Sequence, residues 1–173
     1  HGYQGGYCCV FPIKVNQQRQ VVEEVFEFGR PYHFGLEAGS KPELLAVLAV
    51  ADNDTPIICN GFKQKGYTRR IAQLLNTGFK NVIPVLDNKE ELNAYRRSVK
   101  VPFKLGIRVA AEEEPTFPFY TSRLGIRAKD ILEFYVDNIE GYEDKFQLKM
   151  LHIFLNKGSK DDIYYWSELN KII

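Results

Sequence analysis

The amino-acid sequence predicts an α/β protein built on a mostly parallel sheet. Six short apolar runs alternate with six stretches of helical periodicity. The first five runs begin roughly 25 residues apart, the length of one strand–loop–helix–loop unit. Strands arranged this way lie side by side and are covered by helices on their faces. Two architectures satisfy the pattern: an open doubly wound sheet and a (β/α)8 barrel. No Gly-x-Gly-x-x-Gly follows the first apolar run, which weakens a dinucleotide fold.

The first run is Tyr7 to Val15. Behind it Val21, Val22, Val25 and Phe26 fall at helical spacing over Gln18 to Phe28, and Gly29 stops the helix. The second run, Tyr32 to Leu36, leads into Ser40-Lys41-Pro42-Glu43, a capping box with Pro in the first helical turn. Leu44, Leu45, Val47 and Leu48 follow on that helix. The third run is Thr55 to Asn60, with a helix through Ile71, Leu74 and Leu75 that ends at Gly78. The fourth, Asn81 to Leu86, precedes a second cap at Asn88-Lys89-Glu90-Glu91. The fifth, Phe103 to Ala110, runs into a polar loop containing Glu112-Glu113-Glu114-Pro115, then a helix near Lys129 to Val136. The sixth is Leu148 to Leu155, before a closing helical period with Tyr165, Trp166, Leu169 and Ile172.

Composition narrows the function classes. The 173 residues are 45% hydrophobic, which supports a core and excludes a low-complexity segment. Lys and Arg number 23 against 22 acids, so the net charge of +1 gives no reason to expect a nucleic-acid partner. No apolar run approaches the roughly 20 residues needed to span a bilayer, and the first residues lack the layout of a signal peptide. Cys8, Cys9 and Cys59 show no metal spacing, and adjacent Cys8 and Cys9 cannot easily bridge. A reduced, cytoplasmic protein is the expectation. The chain opens on His1 without an initiator Met, which suggests a piece of something longer.

Polar residues gather just after the apolar runs: Lys14 and Asn16, Glu37, Asn60, Asp87, Arg108, Asn156 and Lys157. In both candidate architectures that rim is where ligands bind. Lys14 ends a run whose neighbours should be buried, so it is either paired, used, or reaching past the strand end to water. A desolvated lysine has a lowered pKa, which favours Schiff-base chemistry with a carbonyl cofactor. Glu37 ends the second run, beside the first if consecutive strands are neighbours. It can pair with Lys14, touch a cofactor, or simply complement the dipole of the next helix. Glu43 reads as the capping-box acid. Arg108, inside an apolar run, calls for an anion or for a neighbouring strand-end acid. Arg123 reads as a loop cation, and His33 as structural. His152 and Phe154 lie two apart on the sixth run and so share a face. There Phe154 is either core or an aromatic able to stack on a flat ring.

These residues also carry a resemblance. Phe11-Pro12-Ile13-Lys14-Val15-Asn16-Gln17 resembles the cofactor-lysine motif of the biosynthetic arginine decarboxylases, pyridoxal-phosphate enzymes of the alanine racemase and ornithine decarboxylase barrel type. Gly35-Leu36-Glu37-Ala38-Gly39-Ser40-Lys41, Ile58-Cys59-Asn60-Gly61-Phe62-Lys63, Leu105-Gly106-Ile107-Arg108 and Ser122-Arg123-Leu124-Gly125 are similar to later family segments, in order. The resemblance implies a partial (β/α)8 TIM-type barrel of about six βα units that binds pyridoxal 5'-phosphate.

It further implies a lyase of polyamine biosynthesis that decarboxylates L-arginine to agmatine, is cytoplasmic and homo-oligomeric, and uses Mg2+ as well. Lys14 would form the Schiff base with the cofactor. Glu37 would lie beside the lysine and the ring, with Glu43 behind it. Arg108 would lie under the cofactor near its phosphate. The ring-stacking histidine of the wider family falls at Phe154, where this chain reads His152-Ile153-Phe154-Leu155-Asn156-Lys157-Gly158-Ser159 instead of His-Phe-His-Leu-Gly-Ser. Either Phe154 stacks on the ring or His152 takes the role. That departure keeps two other readings open: a related decarboxylase or racemase acting on ornithine, lysine or diaminopimelate, and a cofactor-binding relative without turnover. Residues 1–173 are expected to be one incomplete barrel domain. The remaining strands, the glycine-rich phosphate loop and a C-terminal β domain would lie elsewhere, so the piece alone would be inactive.

Overall fold

A computed structural model describes residues 2, 4–110, 124–153, 166 and 170. The elements run β1 (Val10–Pro12), α1 (Arg19–Gly29), β2 (Gly35–Ala38), α2 (Lys41–Leu48), β3 (Ile57–Cys59), α3 (Lys65–Asn76), β4 (Val82–Leu86), α4 (Glu91–Ser98), β5 (Phe103–Ala110), β6 (Ile126–Arg127), α5 (Ala128–Asn138) and β7 (Phe146–Ile153). Every described strand pair is parallel, in the order β1-β2-β3-β4-β5, with β7 on the far side of β5. This is the predicted α/β arrangement of a partial barrel.

Two helices start where the sequence places caps. The Ser40 hydroxyl accepts the Glu43 N–H at 3.4 Å and donates to Glu43 Oε1 at 3.0 Å. At α4, Asn88 Oδ1 accepts the Glu91 N–H at 3.0 Å. Asn16 works before α1, where its Oδ1 accepts the Gln18 N–H at 2.9 Å.

Three details differ from expectation. The second apolar run becomes a strand only from Gly35, because Arg30–Tyr32 closes a 3-10 turn around Pro31 and His33 takes a left-handed conformation with φ 57°. The sixth run begins pairing at Phe146, two residues early. A two-residue strand, β6, pairs with Val109 and Ala110, and the Gly125 N–H donates to the Asp87 carbonyl at 2.8 Å. The polar loop at 111–123, Phe154, Asn156, Lys157 and the closing helical period apart from Trp166 lie outside the described residues.

Side-chain alternation gives the sheet two distinct faces. Leu36, Ala38, Ile57, Cys59, Val82, Leu86, Phe103, Leu105 and Ile107 join Val22, Leu44, Val47, Ile71, Leu75 and Leu92 of the helices in one buried cluster. The opposite face carries Pro12, Glu37, Ile58 and Ile83 in register, and further along Gly106 with Met150 and Arg108 with His152. A bulge at Lys149 decides the last pair. Leu105 faces Leu148, yet Gly106 faces Met150. The extra residue turns His152 onto the face of Arg108; unbroken pairing would have set Leu151 there.

Gly61 is conformationally obligatory. Its φ is 79°, and a Cβ on it would sit 2.7 Å from the Gly39 carbonyl oxygen. The turns after β2 and β3 touch at this point. Gly61→Ala is expected to destabilise the protein by about 1–3 kcal/mol. A shift in urea midpoint is the readout, and an unchanged midpoint would refute the steric argument.

Candidate active site at the strand ends

Parallel strands deliver their C-terminal ends to one edge, and the polar residues meet there. Lys14 lies in the turn after β1, with Nζ 3.6 Å from Glu37 Oε1 on β2. Asn60, following β3, donates from Nδ2 to Glu37 Oε1 at 3.3 Å, and the same nitrogen lies 3.3 Å from His152 Nε2 on β7. Arg108 on β5 pairs with Asp87 at the end of β4, Nη1 to Oδ1 at 3.9 Å. A line of polar contacts thus crosses the mouth from β1 to β7.

The sequence-derived roles fare unequally. Glu37 is where it was expected, beside Lys14. Glu43 combines its cap with a brace, since its Oε2 accepts the Gly39 N–H at 2.7 Å directly behind Glu37. Arg108 has the strand-end acid anticipated for it. Lys14 itself is not desolvated: its side chain is 57% exposed. The reason is that β1 is only three residues long, has one neighbour among the described strands, and ends before the lysine. His152 reaches the mouth, while Phe154 lies outside the described residues. His33 takes no part; its carbonyl accepts from the Cys8 thiol at 2.7 Å. All three cysteines are free. Burial pushes the Cys59 thiol up to about 12, so it is no nucleophile.

Lys63 was missed, and it is the buried lysine of the molecule's mouth. Its side chain is fully buried, and its ammonium meets three acceptors: the Gly61 and Val85 carbonyls and Glu91 Oε2, the last at 3.2 Å. Three donors with three acceptors leave no lone pair or proton for chemistry, so Lys63 is a fastener. Glu91 passes the hold onward by accepting the Asp87 N–H at 3.4 Å. Burial raises the Glu91 carboxyl above its ordinary range, and Lys63 opposes that shift. Lys63 follows its strand as Lys14 does, so the apolar pattern gave no signal to separate them.

Several buried polar atoms at the mouth have no hydrogen-bond partner among the described residues: Asn60 Oδ1, both Asp87 carboxylate oxygens and His152 Nδ1. Such groups are rare unless something else satisfies them. Donors, acceptors and charges of both signs around one edge suit a polar ligand.

A family model described as the pyridoxal-dependent decarboxylase, pyridoxal binding domain, matches residues 4–152. The chain belongs to this family. A biosynthetic arginine decarboxylase of Rhodopirellula baltica is 37% identical over 160 residues, covering 88% of this chain and 24% of the relative. One of Neisseria meningitidis is 33% identical over 189 residues, covering 99% and 30%. The chain therefore spans about a quarter of the length of the curated relatives it matches. The crystal structure of the biosynthetic arginine decarboxylase of Campylobacter jejuni superposes with a TM-score of 0.72 at 29% identity, over 88% of this chain and 25% of that one. A diaminopimelate decarboxylase of Helicobacter pylori gives 0.74 at 14% identity over 98% and 43%, a likeness of fold alone. Within this pyridoxal-binding domain no described helix is long and apolar enough to cross a membrane.

Two outcomes follow from the charges. Lys63→Met leaves the Glu91 carboxylate buried and unpaired, and should cost about 3–5 kcal/mol in chemical unfolding. Exchanging both Lys63 and Glu91 for apolar residues should recover much of that loss; no recovery would mean the pair is not the cause. Burial and Arg108 hold the His152 imidazole below its usual value. The folded form then binds fewer protons than the unfolded form just below pH about 6.5. Stability should fall on acidification from that pH toward the native value, and His152→Gln should flatten the slope.

Proposed function

We propose that the full-length protein decarboxylates L-arginine to agmatine with pyridoxal 5'-phosphate. The observation that carries this is Lys14: a reachable amine at the end of the first strand, 3.6 Å from Glu37, inside the stretch that matches the pyridoxal-binding domain. The curated relatives named biosynthetic arginine decarboxylase support the substrate.

The residues fit the cofactor by their chemistry. Lys14 would hold it through its amine, and Arg108 would balance its phosphate charge. Glu37 would flank the ring, and either His152 or Phe154 would stack on it. When bound, the cofactor supplies an electron sink for the charge left at the substrate's α-carbon once carbon dioxide departs.

The protein's own groups do the rest. The Glu37 carboxylate stabilises the Lys14 ammonium and is placed to take or return a proton at Nζ. Exposure lets the lysine swing toward an arriving carbonyl, which a fastened lysine such as Lys63 cannot do. Glu43 keeps the turn behind Glu37 in place through the Gly39 N–H. Asp87 holds Arg108 from behind, so the guanidinium keeps its position as an anion arrives.

In this reading residues 1–173 form the first part of the cofactor-binding barrel, and the piece alone releases no carbon dioxide. A homo-oligomer and Mg2+ belong to the proposal on the resemblance alone, and a cytoplasmic location on the resemblance together with the cysteine usage. Among the described residues no group of three His, Cys, Asp or Glu side chains is placed to hold a metal ion.

The full-length protein with added cofactor should show the visible absorption of a protonated Schiff base, and Lys14→Ala should lose both the band and carbon dioxide release. Absence of the band from the wild type would defeat the pyridoxal reading. Offered arginine, ornithine, lysine and diaminopimelate separately, the protein should release carbon dioxide fastest from arginine. Faster release from another amino acid would overturn the substrate.

A further inference from the structure

Asn60 sits at the centre of the mouth, only 6% exposed, with Nδ2 3.3 Å from both Glu37 Oε1 and His152 Nε2. A carboxylate in this setting accepts, so the Asn60 atom facing Glu37 is the NH2 group. That same nitrogen faces His152, and it has only protons to offer. Nε2 must therefore present its lone pair, and the imidazole proton sits on Nδ1. A second proton on Nε2 would set two donors against each other. We propose that Asn60 is a positioning residue that locks His152 as the neutral Nδ1–H tautomer while fixing the Glu37 carboxylate beside Lys14.

The surroundings agree with this assignment. Among the described residues, the charged groups facing the imidazole are Lys14 and Glu37 from the first two strand ends, Asp87 from the end of β4, and Arg108 on β5. Burial, Arg108 and Lys14 oppose the imidazolium; Glu37 and Asp87 favour it. Asn60 adds a donor to the opposing side. Its effect reaches two groups at once: it withdraws His152 from competition for Glu37, so that carboxylate remains the partner of Lys14. Among the described residues Nδ1 is buried without an acceptor, which leaves its proton as a fixed donor. The assignment concerns protein atoms alone and does not rest on the decarboxylase reading.

Nitrogen-15 NMR of the cofactor-free, full-length protein tests it, with the His152 signals identified by their loss in His152→Gln. At neutral pH the wild type should show a protonated Nδ1 and an unprotonated Nε2. In Asn60→Asp a carboxylate replaces the donor, so the proton should move to Nε2 and the His152 midpoint should rise by about one pH unit, a tenfold gain in proton affinity. Asn60→Ala should remove the preference and give averaged signals. A wild type protonated at Nε2 would overturn the proposal. So would an Asn60→Asp protein whose His152 titrates as in the wild type. Should neither variant fold, the wild-type tautomer decides alone. Because no cofactor is present, this result is separate from the absorbance and turnover tests of the decarboxylase.

Discussion

Parallel pairing is the constraint on which the site depends. In an antiparallel sheet successive strand ends point opposite ways, and residues following consecutive strands part company. Here every described pair is parallel, so Lys14, Glu37, Asn60, Asp87, Arg108 and His152 arrive at one edge from positions spread over most of the chain. The helices between them carry the apolar burial that makes this arrangement stable. The cluster of Leu36, Ile57, Val82, Leu105 and Ile107 with Leu44, Ile71 and Leu92 is the scaffold. The polar face is what that scaffold presents.

The mouth divides into a held layer and an available layer. Lys63, Glu91 and the Asp87 N–H make a buried set of contacts just beneath the strand ends. Buried ion pairs contribute little net stability, yet they are costly to break, and so they fix geometry. With them lie Lys14, more than half exposed, and polar atoms that have no hydrogen-bond partner among the described residues. A site that must take hold of a ligand needs both: rigid support below and unspent hydrogen-bonding capacity above. The two lysines show the division clearly. Each follows an apolar strand, and only the accessible one is suited to act on an incoming group.

Local signals were read well from the chain. The alternation of runs gave the fold class. Ser40 with Glu43 and Asn88 with Glu91 gave two helix starts, because caps are hydrogen bonds between near neighbours. The pairing of Lys14 with Glu37 and of Arg108 with a strand-end acid was also foreseeable, since parallel units set consecutive strand ends side by side. The motif around Lys14 and the Gly35 to Lys41 segment carried the family.

What the chain could not settle depends on distances between residues far apart in sequence. Whether a lysine after a strand is wet or dry turns on the strand's length and neighbours, so the sequence left Lys14 open between use and solvent and gave no sign that Lys63 is buried. The face on which His152 lies turns on one extra residue at Lys149, invisible in a hydrophobic pattern, since a bulge is a property of a pair of strands. The contact of Asn60 with His152 spans 92 residues. By itself the sequence determined the strand–helix order, the caps and the candidate lysine, all governed by short-range propensity and periodicity. Only the tertiary structure decided which polar groups are spent on support and which remain for a ligand, because burial and hydrogen-bond geometry exist only once the strands are aligned.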